Sequence, residues 1–361
     1  LPPTSMRFLR GMPLDPPRAG ITASVCMGLF WPPSGPSAPP QLEGEVVPTP
    51  EVSVVIASYN GAARIGLQLE ALATQSDAPP FEVIVVDNGS TDGLREAALS
   101  WVDRLPGLRV IQAKRHQGTS YARNVGIAAA RAEKIAFCDD DDCVGARWVD
   151  AASRSLNAAE FVTGAVTDLD AHSFSSVADV RALVPEPATF KAPHHEPGFD
   201  AYPVLMGGNS ALRKPVALRL GGFDQRFFPG AEDNDLALRH VAAGGALLRA
   251  PSMVVAARMR PTVAGGARRA FDGGRMHLRL CRVHDLWAVS PALHDPDFRL
   301  DLLRAIAAAA RDHLSRRQDA RGSATRIALR AGQVLGWVES GLLRRVPPQR
   351  TRLGLDGQDA V

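Results

Sequence analysis

The stretch KIAFCDDDDCVGARWV, residues 134–149, sets a strand-like apolar run against four consecutive aspartates, Asp139 to Asp142. Like charges this close repel, so the cluster asks for an outside cation or a proton to relieve it. Carboxylates anchored on a strand suit Mg2+ or Mn2+, hard cations that bind one or two carboxylates together with substrate phosphates. Alternate residues of an extended turn point the same way, so Asp139 with Asp141, or Asp140 with Asp142, could share one ion. The plainer reading is an acidic loop that caps the helix expected in GARWVDAASRSL (145–156). A zinc site does not fit, because no His/Cys set has suitable spacing.

Working outward, the flanking sequence alternates strand and helix. EVSVVIAS (51–58) is a strand by its β-branched run, and FEVIVVD (81–87), LRVIQA (108–113) and KIAFCD (134–139) read as three further strands. Between them, GAARIGLQLEALATQ (61–75), GLREAALSWVDRL (93–105) and GTSYARNVGIAAARA (118–132) carry apolar residues at helical spacing. Such alternation with short loops predicts a parallel sheet covered on both faces. Ligands of open α/β sheets bind beyond the carboxyl ends of the strands. Those ends here deliver Ser58-Tyr59-Asn60, Asp87 to Asp92, Lys114 to Gln117 and the four aspartates, which predicts one polar, functional rim.

Beyond Asp150 the pattern predicts a strand at 159–169, an irregular stretch at 170–203, and strand, turn and short helix at 203–224. A helix follows at 231–245, with acids in its first turn where the macrodipole favours them. Two short strands are expected at 246–250 and 253–258, and Ala- and Arg-rich helices from about 266 to 345. Neither a G-x-x-x-x-G-K-[ST] phosphate loop nor a G-x-G-x-x-G after the first strand occurs, which argues against ATP hydrolysis on such a loop and dinucleotide redox chemistry.

The 361-residue chain has a net charge of +3, which gives no argument for a nucleic-acid partner. The charge is uneven: Arg258 to Arg352 holds 19 arginines, no lysine and 8 acids, a basic third that points to an anionic neighbour. Four scattered cysteines without a CxxC pair predict a reducing, cytoplasmic setting. Residues 1–50 hold 12 of the 28 prolines and are expected to form a disordered leader. Within them ITASVCMGLFW (21–31) imitates the apolar region of a signal peptide but is too short to span a bilayer.

Four motifs in order, VSVVIASYNG (52–61), VIVVDNGSTDG (83–93), ARNVGIAAARAEKIAFCDDDD (122–142) and AEDNDLALR (231–239), give a specific match. The chain resembles glycosyltransferase family 2, inverting nucleotide-sugar transferases of the GT-A fold, over about residues 52–260. The resemblance implies a Rossmann-like α/β fold with a mostly parallel sheet flanked by helices and, here, a C-terminal helical extension. Its domains would be a catalytic unit at 51–260, an Arg-rich helical extension at 261–346 and a disordered tail at 347–361.

The resemblance also implies roles. Ala57, Tyr59 and Asp87 match positions that cradle the nucleotide base and ribose, and Asp140 is grouped with them. Asp139 and Asp141 match the D-x-D that holds Mg2+ or Mn2+ against the sugar diphosphate. In the acidic pair Glu232-Asp233, Asp233 would be the general base. Gly208 and Asn209, in GGNSALRK (207–214), match the segment lining donor sugar and acceptor.

Two departures stand out. Many members carry a metal-completing His after the last core strand, where this chain reads MVVAARMRP (253–261) and offers Arg258 or Arg260 to the diphosphate instead. The Q-x-x-R-W of processive synthases is absent, so single-sugar transfer is expected. The partners implied are a nucleotide-sugar donor and a carbohydrate or lipid-linked acceptor, with cell-surface glycan or glycolipid synthesis as the setting. A sugar nucleotidyltransferase and an inactive sugar-nucleotide-binding module are the competing readings. Finally, Ile327, Leu329, Val334, Leu335, Trp337, Val338 and Leu342, flanked by Arg326, Arg330, Arg344 and Arg345, predict a basic amphipathic helix that docks peripherally on the cytoplasmic face of an anionic membrane. Packing of the same residues on the core is the alternative.

Overall fold

The computed structural model describes residues 49–105, 107–260, 262–290, 293, 307 and 320–356. The expected Pro-rich leader falls on 1–48, and part of the expected C-terminal helix on 294–306 and 308–319, outside the described residues.

The strands are β1 (Val52–Ser58), β2 (Phe81–Asp87), β3 (Leu108–Gln112), β4 (Lys134–Cys138), β5 (Cys143–Val144), β6 (Phe161–Leu169), β7 (His194–His195), β8 (Asn209–Arg213) and β9 (Leu247–Arg258). Between the first four lie α1 (Ile65–Ala73), α2 (Leu94–Leu99) and α3 (Thr119–Ala129). Then come α4 (Trp148–Ala158), α5 (Val177–Leu183), α6 (Lys214–Leu220), α7 (Glu232–Ala242), α8 (Val263–His284) and α9 (Ala320–Gly336). A π-helical turn, Trp337–Leu342, continues α9.

The strands form one nine-stranded sheet ordered β3-β2-β1-β4-β8-β6-β9-β5, with β7 on β9. Strands β1 to β4 are parallel, as the alternation requires. Beyond β4 the sheet is mixed: β8 runs antiparallel to β4 and β6, and β6 is parallel to β9. Period-2 alternation divides the apolar residues between two cores. Val52, Val54 and Ile56 of β1 join Leu69, Leu72 and Trp148 on one face. Val55 joins Tyr121, Phe137 and Phe223 on the other.

Four expectations are corrected. The two short strands at 246–250 and 253–258 are one strand, β9. Its register against β6 shifts between Gly164 and Ala165, so Pro251, Ser252 and Met253 bulge out of the ladder. Pro251 has no N–H to give, which makes this the tolerable place for it. The interruption frees two carbonyls, and Asn209 takes both: its Nδ2 donates to Ala165 O at 2.8 Å and Met253 O at 2.9 Å. Asn209 Oδ1 accepts from Trp148 Nε1 at 2.8 Å, and the residue is fully buried. Asn209 is therefore a staple of the sheet with its hydrogen-bonding groups engaged internally, not a donor- or acceptor-lining group.

The other two corrections concern irregular sequence. Residues 170–203 contain α5, capped by Ser176 and held by Val177 and Val180 in the core. The tail is ordered through Asp356: Arg350 N–H donates to Asp224 Oδ1 at 2.9 Å, and Leu353 O accepts from Asn124 Nδ2 at 2.9 Å. Leu353 and Leu355 pack on the second core, and Gly354, at φ 84°, lies against Tyr121 and Val125.

Asn209→Leu keeps the volume and strips all three hydrogen bonds, leaving Trp148 Nε1 and two carbonyls buried without partners. A loss of about 3 kcal/mol in urea-unfolding free energy is expected. A loss below about 1 kcal/mol would show that the staple is unimportant.

Candidate active site

The sheet brings four strand ends to one rim. At the β1 and β2 ends, the register pairs Ser58 with Asp87. Asp87 is buried, and its carboxylate accepts from Ser90 N–H at 2.7 Å and Gln112 Nε2 at 2.8 Å. Asn60, at φ 51°, accepts from Thr91 N–H through its side chain at 2.9 Å, tying the β1 loop to the β2 loop. Ala57 is half-buried, and Tyr59 stands 55 % exposed beside it. An exposed ring on a strand end offers a stacking face, while Asp87 is a fixed acceptor in the wall.

The four aspartates carry the chain from β4 at the sheet centre to β5 beside β9, and each has a partner. Asp139 accepts from Arg123 Nη2 at 3.1 Å. Asp140 accepts from the Ser58 hydroxyl. Asp141 is held by Arg260 at 3.0 Å and lies 3.9 Å from Arg64. Asp142 accepts from the Arg258 backbone N–H at 2.9 Å. The strain expected from this run is thus relieved in part by the protein's own arginines. Burial, reinforced by Asp141, still pushes Asp140 up to about 6, and burial with Asp139 and Asp141 raises Asp142 well above the usual carboxylate range.

Arg258, expected at the diphosphate, braces this turn instead. Its Nε donates to Asp141 O at 2.9 Å and its guanidinium lies 4.1 Å from the Phe174 ring centroid. Arg260 is the exposed cation of the pair.

The acidic pair opens α7. Glu232 is buried and accepts from Arg123 Nη1 at 3.2 Å. Asp233 is half-buried, with Oδ2 accepting from Gly207 N–H at 3.2 Å and Oδ1 from Asn234 N–H at 2.8 Å. Burial, then the charge of Asp233, lifts Glu232 to about 7 against the pull of Arg123, and burial raises Asp233 too. Gly207 and Gly208 let the β8 loop close over these acids. A Cβ on Gly207 would sit 2.6 Å from Arg123 Nη1, and one on Gly208 would run into the Asp139 carboxylate.

Sequence reasoning missed Arg123. It is 4 % exposed, and one guanidinium joins Asp139 to Glu232. Burial opposes its charge, but Asp139, Glu232 and Asp233 outweigh that and hold its pKa above the ordinary value. The available signal was a cation in a helix that, Asn124 aside, is apolar or small on its inner side: every residue from Ser120 to Ile127 is buried. Ser58, expected on the polar rim, is there and gives its hydroxyl to Asp140.

Among the described residues no group of three or more His, Cys, Asp or Glu is arranged to hold a metal by itself. The donor set fits a different mode. Asp139, with a side chain 41 % exposed, and Asp141 are hard oxygen donors that could share Mg2+ or Mn2+ with phosphate oxygens and water, as such ions prefer.

Comparison with known proteins gives the following. Residues 53–217 match the family described as glycosyl transferase family 2. Over 102 residues the chain is 36 % identical to glycosyltransferase AglE of Haloferax volcanii, covering 28 % of this chain and 34 % of that protein. It is 38 % identical over 109 residues to validoxylamine A glucosyltransferase of Streptomyces hygroscopicus subsp. limoneus, covering 30 % and 24 %. The matched segments thus span about a quarter to a third of these relatives. The mannosyltransferase PcManGT of Pyrobaculum calidifontis, solved with GDP-Man and Mn2+, aligns at TM-score 0.54 and 21 % identity over 82 % of this chain and 88 % of its own, a likeness of fold. Through residues 53–217, which carry the D-x-D, the chain is similar to glycosyltransferase family 2.

Proposed function

We propose that the protein transfers one sugar from a nucleotide-diphosphate sugar to an acceptor hydroxyl, with inversion at the anomeric carbon. The observation that carries this reading is the Arg123 bridge, which sets the Asp139 carboxylate and the Glu232-Asp233 pair on one rim. Tyr59 and Asp87 are the side chains available to the base and ribose at the β1 and β2 ends. Mg2+ or Mn2+ held by Asp139 and Asp141 would neutralise charge on the departing diphosphate as a Lewis acid.

An acceptor hydroxyl has a pKa far above 7 and needs a base as it attacks. Asp233 is the more open of the two acids, and its raised pKa makes it a better proton acceptor than an ordinary aspartate. It takes the hydroxyl proton as the acceptor oxygen bonds to the anomeric carbon and the bond to the diphosphate oxygen breaks. Glu232, tied to Arg123, fixes the start of α7 and keeps Asp233 aimed into the rim. Arg260 is the cation placed to meet the diphosphate. The acceptor is a carbohydrate or a lipid-linked sugar, and cell-surface glycan or glycolipid synthesis is the setting the family likeness supports. The described cysteines, Cys138, Cys143 and Cys281, are free buried thiols, which supports a reducing cytoplasmic location.

Nucleoside diphosphate release from a panel of sugar nucleotides, beginning with GDP-mannose and Mn2+ because PcManGT holds both, tests the reading. Excess chelator should abolish turnover, and Asp139→Asn and Asp141→Asn should each weaken donor binding. Full activity in chelator, or pyrophosphate released from a nucleoside triphosphate instead, would overturn it.

Asp233→Asn keeps the shape and removes the basicity. Turnover should fall by about 100-fold or more while donor affinity, measured by calorimetry, is retained. Near-normal turnover would move the role to Glu232.

The base works only as a carboxylate, and burial raises the pKa of Asp233, so kcat/KM should rise with pH through an apparent pKa above the usual carboxylate range. Activity lost on acidification should return on neutralisation. A profile flat from pH 5 to 8 would show that the pair is not titrating in catalysis.

A further inference from the structure

We propose that the exposed face of α9 and its π-helical turn is a docking surface for an anionic lipid bilayer. The proposal is independent of the transfer reaction and rests on how α9 is turned. Its hidden side is small or polar: Ser323, Gln333 and Ser340 are buried, and Gly332 and Gly336 face α8. A Cβ on Gly336 would sit 2.6 Å from Arg275 O, and one on Gly332 would run into Phe271 O, so the two helices meet backbone to backbone. The outward side is apolar: Val334, Leu335, Trp337, Leu342 and Leu343 are exposed, Trp337 by 43 % and Leu342 by 63 %. A helix on a water-facing surface has the opposite arrangement.

The border of this strip is cationic. Residues 320–346 carry five arginines and one acid, Glu339. That acid is consumed by a two-pronged pair with Arg275, 2.8 Å on each arm. Arg326, Arg344 and Arg345 are exposed. A Trp and leucines with an arginine rim match the boundary between acyl chains and anionic headgroups. No helix among the described residues is long and apolar enough to cross a membrane, so this contact is peripheral. The strip is also fixed relative to the rim. Gly341 lies between Trp337 and Trp287, and His284, at the end of α8, bonds Asp235 of α7 at 2.8 Å. A docked bilayer would therefore hold the helix carrying Glu232 and Asp233 in a set orientation.

The test uses the full chain and flotation with vesicles of phosphatidylcholine, with and without phosphatidylglycerol. The protein should float only with phosphatidylglycerol present and be released by high salt. Brominated acyl chains should quench a component of tryptophan emission that Trp337→Phe removes. The double variant Trp337→Ser/Leu342→Ser should lose vesicle binding at least tenfold, and Arg344→Gln and Arg345→Gln about fivefold each. The two arginine substitutions, at exposed positions, should leave the melting temperature and sugar-nucleotide turnover as in the parent, which separates this outcome from failure of the proposed reaction. No flotation, equal flotation with neutral vesicles, or a double variant that binds like the parent overturns the proposal. So does a dimer in lipid-free buffer that the double variant converts to monomer without change in vesicle binding. A Trp337 emission already blue-shifted and unmoved by vesicles equally overturns it.

Discussion

One buried guanidinium organises this molecule's chemistry. Arg123 reaches Asp139 at 3.1 Å on one arm and Glu232 at 3.2 Å on the other, with Phe223 beneath it. The acids it joins are 16 and 109 residues away in the chain. Without a cation between them, the buried Glu232 and the more open Asp139 would repel one another. Breaking such a buried pairing by removing one partner costs about 3–5 kcal/mol. Much else follows from keeping Arg123 in place. Gly207 has no side chain because the guanidinium occupies that space, and α3 lies deep in the second core because it must carry the residue there.

The sheet shows the same division of labour between scaffold and site. Parallel strands β1, β2 and β4 are apolar on both faces and end together, so their loops form the rim. The mixed half closes the rim from the other side. There the irregularity in β9 is the main structural problem, and Asn209 solves it with one side chain. An asparagine after two glycines, in GGNSALRK, reads as a ligand contact through the family resemblance. In the fold it faces inward, because β8 lies between two strands and every second residue points into a core.

Legibility in the sequence followed local periodicity. The β-branched runs of β1 and β2, the apolar run of β4 and the acids at the ends of β2 and β4 depend on neighbours in the chain, and they read correctly. The tie between Asp139 and Glu232 spans separate elements, so no local pattern encodes it. Pro251 made β9 look like two strands, because propensity at one residue does not reveal the bulge opposite. Leu353 and Leu355 are too few to form a periodic signal, yet each finds a place on the second core. On α9 the apolar residues were visible, but their direction was not. The glycines at 332 and 336 decide it, by allowing α8 to approach from the side that bears no bulky groups.

The segment at Arg350–Leu355 has a consequence for the order in which the protein can be completed. Asn124, the neighbour of Arg123, gives Nδ2 to Leu353 O across 229 residues and also to Phe223 O at 3.0 Å. During synthesis the sheet and α3 emerge long before residue 353, so a nascent chain can assemble its core while this strap is still missing. The helix that carries Arg123 gains its last tether only when translation has passed that point. Maturation of the rim is thereby coupled to production of the chain through residue 353.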